Sequence, residues 1–189
     1  TIETDIGKIR LLGINTPEKK QAYYEEAKEF LKQYGGKEVE IEIHGKDKYN
    51  RTLGYIYFDN KPLNKEILQQ GLPNLYVYEK DAHYKNIEKA EKQARQGEKG
   101  IWKKSSNFGC VEIVKLKYTE EERCKNQEQL ILNNKCSNMN ITLKDSANHI
   151  YKISLEKGIF EKNFSCVWND DGDSLFLRED NGLVGYYKY

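Results

Sequence analysis
Long apolar runs are missing from this 189-residue chain. None approaches the roughly 20 residues that cross a bilayer as a helix, so no membrane span is expected. A dominant charge is missing too: 31 Lys and Arg stand against 30 Asp and Glu. The balance is mildly uneven, with 20 basic and 17 acidic residues in 1–104 and 11 against 13 beyond. That is too weak for a bulk field to draw in nucleic acid. Phosphate binding must come from individually placed side chains such as Arg10, Lys48 and Arg51. Histidine is scarce. His44, His83 and His149 stand far apart, with no ligand spacing to another His or Cys, and read as ordinary surface or turn residues. Cysteine is absent before position 110; Cys110, Cys124, Cys136 and Cys166 follow at separations of 14, 12 and 30 residues. That spacing fits no paired zinc motif. Four cysteines in one small β-rich module favour two disulfides and an oxidising compartment over four buried thiols. Three pairings remain open. Internal repeats and low-complexity segments are absent as well.

What is present concentrates in Ile9–Glu18, which reads Ile-Arg-Leu-Leu-Gly-Ile-Asn-Thr-Pro-Glu. An apolar strand carries Arg10 in its middle and breaks at a turn presenting Asn15, Thr16 and Glu18, stiffened by Pro17. A guanidinium matches phosphate oxygens with two parallel donors. Amide, carbonyl and carboxylate oxygens suit a hard cation such as calcium, and a free carboxylate can take a proton from water.

Arg10-Leu-Leu-Gly-Ile-Asn-Thr-Pro-Glu18 resembles the R-L-x-G-I-D-T-P-E signature of staphylococcal-nuclease-like (thermonuclease) domains. Three further segments resemble that family in its order. Asp47-Lys-Tyr-Asn-Arg-Thr-Leu-Gly-Tyr55 is similar to D-K-Y-G-R-x-L-A-Y, and Asn64–Leu72, followed by Tyr76-Val77-Tyr78, to N-x-x-L-v-x-x-G-L. Ala90–Trp102 is similar to the closing A-x-x-x-A-x-x-x-x-x-G-I-W helix. Two departures stand out. Asn15 replaces a metal-ligand Asp, which keeps an oxygen donor but removes its charge and lowers the expected metal affinity. The family's D-G-D-[ST] turn maps onto Thr1 at its last position, so its acidic ligand is expected upstream of Thr1.

The resemblance implies roles. Glu18 is the general base, while Arg10 and Arg51 bind phosphate and stabilise the transition state. Asn15 and the Thr16 carbonyl contribute to a calcium (Ca2+) site, and Lys48, Tyr49, Tyr76 and Tyr78 hold the nucleotide. Each residue also has a plainer reading. Glu18 can be a helix N-terminal carboxylate favoured by the dipole, Lys48 and Arg51 solvated turn charges, and Tyr76 and Tyr78 core residues on one face of an extended segment.

Alternation over Val39, Ile41 and Ile43 predicts a half-buried strand, and Leu53–Phe58 a second. Gln21–Tyr34 reads as an amphipathic helix with Tyr23, Ala27, Phe30, Leu31 and Tyr34 on one face, stopped by Gly35-Gly36. Shorter helices are expected over Asn64–Gln70 and Tyr84–Gln96. This is a mainly β chain with α: an OB-fold five-stranded barrel with three helices (α+β) over residues 1–104, which the resemblance also implies. Lys103–Asn107 reads as a polar linker.

Beyond it, six short apolar runs are separated by turn residues: 111–118, 129–132, 141–144, 150–155, 174–178 and 183–187. Six or seven strands at this spacing predict an Ig-like β-sandwich over 109–189. Val167–Leu177 and Asp180–Val184 resemble the end of lamin-tail domains. Asn169–Asp173 reads as a β-turn rather than a calcium loop, since its glycine comes too early.

The expected function is a secreted or cell-surface, monomeric, calcium-dependent nuclease acting on DNA and RNA, single strands preferred, and leaving 3′-phosphates. The second module is expected to be an accessory that attaches to a cell surface or polymer. One alternative is a nucleic-acid-binding or attachment module whose metal chemistry is impaired by Asn15. Another is an envelope protein whose function lies in the sandwich.

Overall fold
Short strands and three helices build the first unit, Thr1–Trp102. Its elements are β1 (Ile2–Thr4), β2 (Gly7–Leu11), β3 (Ile14–Asn15), α1 (Tyr24–Lys32), β4 (Glu40–Lys46), β5 (Thr52–Phe58), β6 (Lys61–Pro62), α2 (Leu63–Gln69), β7 (Asn74–Leu75) and α3 (Tyr84–Gln96). The computed structural model describes residues 1–118, 128–169 and 172–189. Over these described residues the fold is mainly β with three α-helices. Among the described residues no helix is long and apolar enough to cross a membrane.

The main sheet runs β1-β2-β5-β4, with β6 added to β5. The β2–β5 pair is parallel and sets Arg10 opposite Leu53; the other pairs are antiparallel. Inward-facing Ile9 and Leu11 of β2 join Ile56, Leu63, Ile67, Leu68, Leu75 and Ile87 in one apolar cluster. Arg10 falls between them in the alternation and takes the other face. A separate two-stranded ladder pairs β3 with β7, Asn15 opposite Asn74.

The helix over 84–96 forms as expected, with Ile87, Ala90 and Ala94 buried. The first helix begins later than its apolar pattern suggests. Lys20 and Tyr23 adopt φ of 77° and 68°, left-handed values that a helix cannot include, so α1 starts at Tyr24. The face expected for it still packs inward, with Ala27 buried and Tyr23, Phe30, Leu31 and Tyr34 against the core. The half-buried alternation expected over Val39, Ile41 and Ile43 holds for Val39 and Ile41, which pack against the core, and ends before Ile43. Ile43 is 58% exposed, because β4 is the last strand of the sheet and its register shifts between Ile43 and Lys46.

The second unit, Lys103–Tyr189, contains β8 (Val111–Lys117), β9 (Glu128–Asn134), β10 (Met139–Lys144), β11 (Ile150–Leu155), β12 (Gly158–Phe164), β13 (Ser174–Glu179) and β14 (Gly182–Lys188). They form a four-stranded sheet, β11-β10-β13-β14, and a three-stranded sheet, β12-β9-β8. Leu130, Leu132 and Phe164 from one sheet and Ile141, Leu143, Leu155, Leu175, Leu177 and Val184 from the other share one apolar cluster. Strand β12 was not among the six apolar runs, since only its last residue, Phe164, is buried. The segment expected as a polar linker, Lys103–Asn107, hydrogen-bonds within this unit. Lys103 accepts the Leu183 N–H at 2.8 Å, and Ser105 donates its N–H back to Leu183 at 2.9 Å.

Cys110 and Cys136 form a disulfide with a Cα–Cα distance of 5.4 Å. Cys166 is also disulfide-bonded, and Cys124 lies outside the described residues. The turn expected at Asn169–Asp173 includes residues 170 and 171, which also lie outside them. Its last residue is a buried anchor: Asp173 accepts the N–H groups of Ser146, Asn169 and Ser174 at 2.9, 3.1 and 2.6 Å.

Candidate active site
Strand alternation and parallel register bring the two expected arginines to one face. Arg10 lies opposite Leu53, and Arg51 is two residues before Leu53, so both project to the same side of the sheet. Arg10 is partly buried and donates from Nη1 to the Leu11 carbonyl at 3.3 Å. Burial, and next the Arg51 charge, pull its guanidinium below the usual range; Tyr76, Tyr78 and Glu18 act in the opposite direction. One guanidinium therefore feels a second cation, two phenols and a carboxylate at once. Arg10, Arg51, Glu18, Tyr76 and Tyr78 form one electrostatic neighbourhood.

Arg51 is held by a residue whose role the motif reading passed over. Asp47 Oδ2 takes Arg51 Nε at 2.7 Å and Nη2 at 2.6 Å, while its Oδ1 takes the Arg51 and Tyr49 backbone N–H groups, each at 2.9 Å. Partial burial opposes the Asp47 charge, but the hydrogen bonds from Arg51 and Tyr49 outweigh it and hold the carboxyl below its ordinary value. The tight connection relies on Asn50 at φ 61°, where the family pattern has glycine. The remaining Arg51 nitrogen, Nη1, donates to Thr1 Oγ1 at 3.2 Å, which draws Thr1 into the site. The D-K-Y-x-R spacing and the [ST] position were the signals for these two residues.

The turn after β2 carries the rest. Gly13 has φ 73°, a left-handed value that glycine adopts without strain, and a Cβ there would push the tip of the Ile87 side chain on α3 aside. The Gly13 carbonyl accepts the Tyr76 N–H at 3.0 Å, tying the tyrosine segment to the turn. Asn15 is buried on β3, Thr16 is half-buried, and Glu18 is exposed. Glu18 and Gln21 lock the turn reciprocally, with the Glu18 N–H on Gln21 Oε1 at 3.1 Å and the Gln21 N–H on the Glu18 carbonyl at 2.9 Å. Because α1 begins at Tyr24, Glu18 lies outside its first turn, and the helix-dipole reading of this carboxylate loses its basis.

The aromatic residues flank the cations. Tyr76 and Tyr78 hydroxyls are 2.6 Å apart with rings at 71°, and Tyr78 is 88% exposed, so this pair is not core. Tyr49 is exposed, with Arg51 Cζ 5.5 Å and Lys48 Nζ 5.3 Å from its ring centre. From below, buried Glu91 of α3 accepts the Leu75 N–H at 2.7 Å and braces β7. Nothing in the motif reading pointed to Glu91; its signal is a charge on the inward face of an amphipathic helix.

The histidines are not isolated in space. His44 and His83 both point Nε2 at Glu42 Oε1, and His149 Nδ1 lies 2.7 Å from buried Asp145 Oδ2. Chain spacing hid the meeting of His83 with Glu42 and His44 because they come from different elements, 41 residues apart for His83 and Glu42.

Two guanidiniums within electrostatic reach of each other, an exposed carboxylate and the exposed rings of Tyr49 and Tyr78 are groups that can meet a phosphate-bearing ligand. In comparison with known proteins, the staphylococcal nuclease homologue family matches residues 8–104, and the chain belongs to that family. It is 39% identical over 101 residues to the staphylococcal-like nuclease CAN1 of Arabidopsis thaliana, covering 52% of this chain and 30% of that protein. It is 32% identical over 104 residues to the thermonuclease of Staphylococcus hyicus, covering 50% and 62%. An uncharacterized endonuclease of Haemophilus influenzae is 32% identical over 96 residues, covering 50% and 53%. The chain thus spans less than two thirds of the length of each of these relatives.

Proposed function
We propose that the first unit, an OB-type barrel with flanking helices, is a phosphodiesterase that hydrolyses DNA and RNA. The observation that carries this reading is the parallel β2–β5 register, which brings Arg10 to the strand that Arg51 leads into, with Glu18 within electrostatic reach of Arg10. Two cations held together repel, and a bound phosphate offsets that repulsion while being gripped by both. Arg51 is set for this by Asp47, which fixes its Nε and Nη2. Glu18 is free to orient toward water and take its proton as the oxygen attacks phosphorus. The bond to the 5′ oxygen then breaks, leaving a 3′-phosphate and, on proton uptake, a 5′-hydroxyl. Tyr49, Tyr76, Tyr78 and Lys48 offer rings, hydroxyls and a charge to an unpaired nucleotide, which favours single strands.

Asn15 through its carboxamide oxygen and Thr16 through its carbonyl would hold the metal. Donors that are all oxygen suit a hard cation such as calcium. When bound, the ion supplies positive charge near the phosphate. The second unit, a lamin-tail-like Ig sandwich, is a non-catalytic accessory for surface or polymer attachment. Its disulfides support secretion or cell-surface exposure, and the protein acts as a monomer.

Hydrolysis of heat-denatured DNA by the whole chain, with calcium and then with chelator, tests the proposal. Calcium-dependent loss of substrate with 3′-phosphate ends supports it. Retained binding without cleavage supports the second reading, favoured by Asn15, in which the site binds nucleic acid but does not cut it.

A further inference from the structure
Strand alternation puts Glu42 and His44 of β4 on one face, and the chain brings His83, just ahead of α3, over them. His44 Nε2 lies 2.8 Å and His83 Nε2 3.0 Å from the same Glu42 Oε1, and the three candidate ligand atoms lie within 4.8 Å of one another. Among the described residues this is the one group of three histidine, cysteine or carboxylate side chains so arranged. The side chains remain 32%, 25% and 43% exposed for His44, His83 and Glu42, leaving a path for an ion and room for water.

We propose that Glu42, His44 and His83 form a binding site for a divalent transition-metal ion of the zinc class, distinct from the all-oxygen donors at Asn15 and Thr16. Two imidazoles and one carboxylate are the open type of zinc donor set, with a position left for water. Calcium and magnesium prefer oxygen-only shells and are disfavoured by the imidazoles. Around a tetrahedral ion with bonds near 2 Å, ligand atoms stand about 3.3 Å apart, so the two Nε2–Oε1 separations open by only about 0.3–0.5 Å.

The surroundings hold these ligands in place. Tyr57 donates its hydroxyl to Glu42 Oε2 at 2.8 Å, turning the other oxygen toward the histidines. The His83 ring packs on Tyr55 with centres 4.1 Å apart. Asp81 accepts the His83 N–H at 2.9 Å and the Tyr55 hydroxyl at 2.8 Å, so backbone and ring are fixed by one carboxylate. Such outer partners orient metal ligands elsewhere. An ion here would clamp β4 to the approach of α3, joining residues 41 apart in sequence.

The test is calorimetric titration of zinc alone into the chelator-stripped whole chain, in buffer containing calcium, with cobalt(II) absorption as a second readout. One ion should bind per chain. The His44→Ala, His83→Ala double variant should lose that binding, and Tyr57→Phe should weaken it about tenfold, the usual effect of an outer partner. Glu42→Gln keeps the side chain's size but removes its charge and one acceptor oxygen, and with unchanged circular dichroism it should weaken zinc by more than Tyr57→Phe does. Wild-type chain that binds no zinc at millimolar concentration overturns the proposal, as does a double variant that binds with unaltered stoichiometry and affinity.

Discussion

Replacing Asn64 with alanine should cost the first unit about 2–4 kcal/mol. Asn64 is fully buried at the start of α2, 0% exposed. Its Oδ1 accepts the Ile56 N–H at 3.2 Å, and its Nδ2 donates to the Leu12 carbonyl at 2.8 Å. One side chain thus joins α2, the middle of β5 and the residue that leads from β2 into the Gly13–Glu18 turn. Ile56 is 1% exposed, so its N–H finds no water after truncation, at roughly 1–3 kcal/mol. Leu12 is only half-buried and its carbonyl can hydrate, so that bond costs a net of about 1 kcal/mol. A unit of this size has about 5–15 kcal/mol in all, so the loss is large but survivable. With a urea slope near 2 kcal/mol per molar, the midpoint of the first unit should fall by about 1–2 M. Hydrogen exchange at Ile56 should quicken in step, and nuclease activity should fall as the turn loosens. A midpoint shift below about 0.3 M would refute the reasoning, because it would mean water or repacking satisfies both orphaned groups.

The other predictions concern charge. Glu18→Gln should lower turnover by about 10²–10⁴-fold, the usual contribution of a general base, with an unchanged Tm because the side chain is exposed; Arg51→Gly should reduce kcat similarly, read by the same DNA hydrolysis assay. Asn15→Asp restores a charged donor and should tighten calcium binding and raise activity; calcium dependence identical to the parent would remove position 15 from the ligand set. Hydrogen bonds from His83, Tyr57 and His44 hold Glu42 at about 2 against an ordinary 4.5. The folded-state value is depressed, so this stability is present above pH 4.5 and lost as pH falls toward 2. Chemical denaturation across that window should show a shallower pH slope in Glu42→Gln, and an identical slope would contradict the assignment.

Local chemistry was legible from the chain alone. The Asn15–Glu18 turn, the D-K-Y-x-R connection and the 84–96 helix each depend on residues within a few positions of one another. Turn preferences and helical periodicity act over that range. Where backbone conformation overrode periodicity, the reading slipped, as at the start of α1, where Tyr23 is left-handed. Strand β12 escaped because its pairing to β9 through the backbone needs little apolar side-chain burial.

The chain by itself therefore determined which groups are available: guanidiniums at 10 and 51, the amide, carbonyl and carboxylate oxygens of the Asn15–Glu18 turn, and strands and helices to hold them. Only tertiary structure decided which groups meet. Parallel pairing of β2 with β5 sets Arg10 near Arg51, and the approach to α3 sets His83 on Glu42 beside His44. Those meetings depend on register and packing between segments some 40 residues apart, and no local spacing encodes the distance between two side chains once the backbone between them can turn in many ways.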